Sequence, residues 1–244
     1  MDKPKMILFD YGGTILCEPE SDFLKGEKAV FQHIKENPKN ITPEQAHIYD
    51  EELFGKADKF RNMGFEVHEW PLLRCKYEAL NIKFDISIEE IETILWDNAC
   101  AGGKMPYISE LLSFLDQKGI RTGVISNIGW SGNALFRRIN RLLPENKFEF
   151  ILASSEYVVR KPSPILFQIA LNKAGLSADQ VWYCGNKIAI DVYGAHGAGI
   201  FPVLYEGEIP EKSEAIIDEP AGEIDFPYLH IHDWRELISV LEKY

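Results

Sequence analysis

The chain has 244 residues, enough for one large domain or a core carrying a smaller insertion. Its hydrophobic fraction of 45% and charged fraction of 26% are those of a globular protein and argue against a disordered chain. A net charge of -12 argues against nucleic acid or an anionic membrane as main partner, because like charges repel, but leaves open a small anionic substrate responding to local charge in a cleft. Cys17, Cys75, Cys100 and Cys184 are scattered without a CxxC pair, which reads as reduced, mostly buried thiols rather than disulfides or a zinc site. No apolar run reaches membrane-spanning length and the amino terminus has no signal-peptide pattern, so the expected location is cytoplasmic.

Met6–Phe9 is an apolar run entering Asp10, Gly12, Gly13 and Thr14. That is the form of a buried parallel strand delivering a carboxylate to the carboxyl edge of its sheet. From Cys17 to about Cys100 the periodicity is helical. Phe23, Val30, Phe31 and Ile34 share one face, and Thr42-Pro43-Glu44-Gln45 reads as a capped helix start. Ala46, Tyr49, Leu53, Ala57 and Phe60 continue that helix; Trp70, Leu73, Tyr77 and Leu80 form a third stripe. Ser87-Ile88-Glu89-Glu90 is a second capping box, followed by Ile91, Leu95 and Ala99.

Helix and strand then alternate: a helix from Pro106 to Lys118 closed by Gly119, strands at Thr122–Ser126 and Phe148–Ala153, and a helix from Pro164 to Ala174. Val181–Cys184 reads as a strand, Ile188–His196 as a helix and Ile200–Leu204 as a strand. A last strand near Tyr228–Ile231 precedes a helix capped by Asp233 and Glu236. Gly207–Asp225, acidic and proline-containing, reads as a surface excursion. The predicted fold class is α/β, a doubly wound parallel Rossmann-like sheet formed by residues 1–16 and 104–244, with an inserted helical unit at 17–103.

Ligands of such sheets bind beyond the carboxyl ends of the strands. Four strand ends here carry polar residues: Asp10, Ser126-Asn127, Arg160-Lys161-Pro162, and Gly185-Asn186 through Asp191. In this combination and order the chain resembles the haloacid dehalogenase (HAD) superfamily of hydrolases, in the branch with a helical cap between the first and second motifs. Asp10-Tyr11-Gly12-Gly13-Thr14 is similar to motif one, Val124-Ile125-Ser126-Asn127 to motif two, Arg160-Lys161-Pro162-Ser163-Pro164 to motif three and Gly185-Asn186-Lys187-Ile188-Ala189-Ile190-Asp191 to motif four. The resemblance implies a phosphatase acting on a small phosphorylated metabolite, with Asp10 attacking phosphorus to form an aspartyl-phosphate. It implies Mg²⁺ held by Asp10, the Gly12 carbonyl, Asp191 and Asn186. Ser126 would hydrogen-bond a phosphoryl oxygen with backbone N–H groups near Asn127 assisting, Lys161 would place a charge beside Asp10, and Gly12, Gly13 and Thr14 would, with Asn127, lie against the substrate. Arg160 reads as solvent-facing, and His33, His47, His68 and His196 as structural.

Two positions depart from the pattern. Gly12 stands where the resembling phosphatases carry an aspartate that protonates the leaving group and then activates water; such acid–base catalysis contributes about 10²–10⁴-fold. Asn186 replaces the first aspartate of motif four, and a charge lost about 4 Å from a metal is worth about 4 kcal/mol before solvation offsets at an effective dielectric of about 20. The alternatives to a phosphatase are a metal-independent haloacid dehalogenase-type enzyme, a phosphonate hydrolase using one of Lys25, Lys35, Lys56 or Lys59 for a Schiff base, and a non-catalytic phosphometabolite-binding module.

Overall fold

The computed structural model describes residues 2–18, 21–208 and 224–244; most of the expected Gly207–Asp225 excursion lies outside them. Strand β1 (Met6–Phe9) is fully buried and enters the loop that leads to β2 (Leu16–Cys17). The insertion follows as α1 (Phe23–Val30), β3 (Ile34–Glu36), α2 (Pro43–Asn62), α3 (Glu69–Leu80), β4 (Lys83–Phe84) and α4 (Ile88–Ala99). The chain returns through β5 (Gly103–Lys104), which pairs antiparallel with β2, so the two ends of the insertion are fastened together. Thereafter come α5 (Ile108–Gln117), β6 (Arg121–Ser126), α6 (Gly132–Leu142), β7 (Ile151–Ala153), α7 (Pro164–Ala174), β8 (Val181–Gly185), α8 (Tyr193–Gly197), β9 (Phe201–Tyr205), β10 (Leu229–Ile231) and α9 (Trp234–Leu241).

Six strands form one sheet in the order β10-β9-β8-β1-β6-β7, every neighbouring pair parallel. The chain therefore winds outward from β1 in one direction through β6 and β7, and in the other through β8, β9 and β10. The topological switch falls between β1 and β8, where open α/β sheets bind their ligands. Strand alternation divides β1 between two cores. Ile7 and Phe9 join Leu111, Leu115, Leu135, Ile139, Leu237 and other side chains on one face, while Met6 and Leu8 join Leu166, Phe167, Ala170 and Ala195 on the other. This is the three-layer arrangement that makes a central parallel strand apolar on both sides. Among the described residues, no helix is long and apolar enough to cross a membrane.

Local chemistry accounts for most boundaries. Thr42 and Ser87 both form complete capping boxes, with Gln45 and Glu90 reaching back to the cap. Gly26 allows α1 to lie against α4: a Cβ there would stand 2.4 Å from the Leu95 carbonyl oxygen. The structure corrects the first predicted stripe, because α1 stops at Val30 and Ile34 begins β3, which pairs with β4. Phe60, assigned to an apolar face, is 55% exposed. Helix α5 starts at Ile108, after Tyr107 in the left-handed region, and a π-helical turn at Ile188–Val192 precedes α8. The sequence reading missed α6. Its run Arg137-Arg138-Ile139-Asn140-Arg141 dilutes the stripe of Leu135 and Ile139, although Ser131 caps it through the Ala134 N–H. Of the cysteines, Cys17, Cys100 and Cys184 are buried, Cys75 is exposed, and the four form no disulfide with one another.

The insertion has a charged interior. Fully buried Lys76 donates to Glu27 Oε2 and Asp50 Oδ2, each at 2.8 Å, and Tyr77 donates to Glu27 Oε1 at 3.1 Å. Removing one member of such a group strands the others in a low dielectric. Lys76→Met should therefore cost about 3–5 kcal/mol, a fall in thermal midpoint of roughly 10 °C at about 2–4 °C per kcal/mol. Lys56→Met, which breaks the exposed pair with Glu52, should leave the midpoint nearly unchanged. Equal shifts in the two variants would refute this account.

Nearby Glu69 is 2% exposed and its Oε1 has no hydrogen-bond partner among the described residues. Burial, followed by the repulsion of Asp50, pushes its carboxyl from the ordinary 4.5 up to about 8. The folded state thus holds a proton that the unfolded chain gives up near 4.5. The stability carried by that proton is present in acid and lost as pH rises through about 8. Glu69→Gln should lose less stability than wild type between pH 5 and 9 in denaturant titrations. Parallel pH profiles for the two proteins would contradict that protonation state.

Candidate active site

Strand β1 ends at Asp10, whose N–H donates to the Cys184 carbonyl of β8 at 2.8 Å, fixing it at the switch point. The pairing of Phe9 with Val124 brings Ser126, at the end of β6, to the same sheet edge. Lys161 reaches that edge from the segment before α7. Its Nζ lies 2.6 Å from Asp10 Oδ1, 2.7 Å from Asp191 Oδ1 and 2.5 Å from the Tyr183 hydroxyl oxygen. The lysine is 3% exposed and Asp191 1%. Burial works against the ammonium, but Asp10 and Asp191 outweigh it and raise its pKa above the ordinary lysine value. Burial also raises the Asp10 carboxyl; Lys161 opposes that rise and Asp191 adds to it.

The π-helical turn explains how Asp191 arrives there. Its N–H donates to the Lys187 carbonyl at 2.7 Å, while its Oδ2 accepts from the Lys187 N–H at 3.0 Å. A Cβ on Gly185 would stand 2.3 Å from the Asp191 Cγ, so this position requires glycine. Tyr183 donates to Asp191 Oδ1 at 3.2 Å, and burial followed by the nearby Asp191 holds its phenol well above the ordinary tyrosine range. Sequence reasoning did not single out Tyr183. Its only signal was a hydroxyl near the carboxyl end of an otherwise apolar strand.

The structure gives several predicted site residues supporting contacts. Both ends of the Asn127 amide hold the main chain of Lys161: Nδ2 donates to its carbonyl at 2.9 Å, and Oδ1 accepts from its N–H at 2.7 Å. Its side chain is therefore engaged in positioning Lys161 rather than turned to a substrate. Thr14 is fully buried and donates to Asn186 Oδ1 at 3.4 Å. Gly13 has φ +73° and packs against Asn186, whose Nδ2 would lie 2.5 Å from an added Cβ. Gly12 is different: among the described residues, nothing lies within 4 Å of the place where its Cβ would be.

The candidate metal ligands Asp10, Asp191, Asn186 and the Gly12 carbonyl offer only oxygen, the donor chemistry of Mg²⁺ rather than of a soft or borderline metal. Asp10 and Asp191 share one ammonium at 2.6 and 2.7 Å, so two carboxylates face one built-in cation. On these grounds the donor set fits a hard divalent cation.

The insertion is fastened to the loops around this edge. Phe65 and Val159 form an antiparallel bridge, and the Arg160 N–H donates to the Gly64 carbonyl at 3.1 Å, immediately before Lys161. Glu66, buried beside them, accepts from Ser154 Oγ at 2.6 Å, Arg61 Nε at 3.2 Å and the Arg160 guanidinium. Arg160 is thus an ion-pair partner of the insertion and not the solvent-facing side chain expected. The Glu69 N–H donates to the Gly129 carbonyl at 2.8 Å, and Trp130 stacks on Trp96 with a centroid separation of 5.1 Å. Tyr11, next to Asp10, donates to Glu18 at 2.9 Å and accepts from Arg138 Nε at 3.0 Å, an arginine supplied by α6. His68 caps α3 through the Trp70 N–H and His196 stacks on Phe226.

A glyceraldehyde 3-phosphate phosphatase of Methanothermobacter thermautotrophicus is 32% identical over 116 residues, covering 47% of this chain and 50% of that protein. The chain spans about half the length of the curated relatives it matches. A 2-haloacid dehalogenase from Pseudomonas syringae pv. Tomato superposes with a TM-score of 0.61 at 20% identity, covering 98% of this chain and 99% of that one. A HAD phosphatase from Thermococcus onnurineus does so with a TM-score of 0.59 at 19% identity and 97% of both chains. At such identities these two structures speak for the fold alone. The model of the haloacid dehalogenase-like hydrolases matches residues 4–199, most of the chain and all four of its polar strand ends. The protein belongs to the haloacid dehalogenase-like hydrolase family.

Proposed function

We propose that this hydrolase is a Mg²⁺-dependent phosphatase of a small phosphorylated metabolite, working through an aspartyl-phosphate at Asp10. The observation that carries the reading is the Asp10–Lys161–Asp191 arrangement at the switch point, surrounded by oxygen donors. The phosphatase names of the curated relatives support it. Asp10 attacks phosphorus as the bond to the leaving oxygen breaks, and the phosphoryl group passes to the carboxylate. Lys161 neutralises charge on Asp10 and on the transferring group, with Ser126 a hydrogen-bond donor beside it. When bound, Mg²⁺ would be held by Asp10, Asp191, Asn186 and the Gly12 carbonyl, and would offset the repulsion between carboxylate and phosphate dianion. Water then attacks phosphorus and regenerates Asp10. Gly12 supplies no proton to the leaving oxygen and no base for that water, so aryl and acyl phosphates, whose leaving groups need no proton, are the favoured substrates. Residues 17–103 are proposed to act as a cap, seated on the loops that follow Ser126 and precede Lys161.

A missing acid at position 12 also suits a haloacid dehalogenase-type reaction, which would proceed without metal. The phosphonate reading is weaker: Lys25, Lys35, Lys56 and Lys59 are all exposed, and Lys76 is locked between Glu27 and Asp50.

The decisive measurement is phosphate release from an aryl phosphate with magnesium present and after chelation. Turnover should require the metal and fall to background in Asp10→Asn. Halide release from a haloacid without metal would select the dehalogenase reading. Phosphate binding without turnover across a phosphoester panel would select a binding module.

A second variant tests position 12. The space around its missing Cβ can receive a side chain, so Gly12→Asp should raise turnover of alkyl phosphates, by up to about 10²–10⁴-fold if the restored acid and base are well placed. Unchanged or lower turnover would show that the site is organised around glycine.

A further inference from the structure

At the β9/β10 edge of the sheet, two strand ends bring together ligating side chains that the proposed chemistry does not use. His230 lies in β10 and His232 just beyond it, two residues apart, so the pleat sends both rings to one side. Glu206 follows β9, and its N–H donates to the Ile231 carbonyl at 2.9 Å, which holds it beside the two histidines. His230 Nε2 is 2.8 Å from Glu206 Oε2, His232 Nδ1 is 3.4 Å from the Glu206 carbonyl oxygen, and the two imidazole centroids are 4.5 Å apart. One ligand atom from each residue lies within 4.8 Å of the others, the only such group of three among the described residues.

We propose that Glu206, His230 and His232 form a site for a borderline divalent metal, with Zn²⁺ as the ion it takes. Ligands bound at about 2.0–2.2 Å in tetrahedral geometry stand about 3.4 Å apart, so rotations about side-chain bonds suffice to close the site. The two backbones are already tied by the parallel β9–β10 ladder, which leaves only side-chain freedom to lose on binding. Two imidazoles and one carboxylate are a ligand set that suits zinc, whereas Mg²⁺ prefers oxygen alone. The site therefore differs in chemistry from the oxygen set around Asp10. All three residues are exposed, which leaves the remaining position of the metal to water or to a ligand from outside. Binding replaces the hydrogen bond between His230 and Glu206, with the ring proton of His230 moving to Nδ1 when it starts on Nε2.

Calorimetric titration of the full chain with zinc chloride, in excess magnesium, tests the assignment. One equivalent should bind in Asp10→Asn/Asp191→Asn protein as in wild type. His230→Ala/His232→Ala should weaken that equivalent by about 100-fold or more, since losing even an outer-shell partner of a metal costs about 10–100-fold. Glu206→Gln should weaken it less. Glu206, His230 and His232 are exposed, so an unchanged thermal midpoint without zinc in their variants separates lost binding from lost folding. Zinc binding that survives the double histidine substitution, or no binding by wild-type protein at millimolar zinc, would overturn the proposal.

Discussion

The ammonium of Lys161, held between the carboxylates of Asp10 and Asp191 and against the Tyr183 hydroxyl, is the interaction on which the site is organised. A buried charge survives only when paired, and here burial of the lysine is outweighed by two partners. The pairing constrains three segments distant in sequence. Strand β1 must end at Asp10, the turn after β8 must bring Asp191 back over Gly185, and the loop before α7 must be held at the right height. Asn127 supplies the last condition by clasping the main chain of Lys161 on both sides. A motif-two residue therefore works by positioning a motif-three residue.

The same dependence extends into the helical insertion. Its α2–α3 connection bridges to Val159 and Arg160, and Glu66 gathers Arg61, Ser154 and Arg160 around a buried carboxylate. The segment carrying Lys161 is thus gripped from the core by Asn127 and from the insertion by Glu66. Closely packed polar networks of this kind have few partly satisfied states, because each loss strands a buried charge. Movement of the insertion over the site would accordingly act on the lysine loop as well as on solvent access.

Gly12 is less constrained by the architecture than its neighbour Gly13. The loop it occupies turns through Gly13, whose positive φ and contact with Asn186 both require glycine. Position 12 carries neither constraint: the space for a side chain is open. Its glycine therefore does not follow from the packing around its Cβ. Asn186 is more embedded, since Thr14 and Gly13 both touch it.

The sequence by itself determined the parallel sheet and the four polar strand ends. These are written in local rules: apolar runs for buried strands, capping boxes at Thr42 and Ser87, and polar residues directly after strands. It did not reveal α6, whose arginines conceal the apolar stripe because Arg138 is buried among Tyr11, Glu18, Asp97 and the Cys100 carbonyl. Nor could it show that Arg160 turns toward Glu66, that Tyr183 completes the lysine's surroundings, or that His230 and His232 meet Glu206. Each of those facts depends on which strand lies beside which and at what register. Pairing between residues distant in sequence is decided by tertiary packing, and local periodicity carries no record of it.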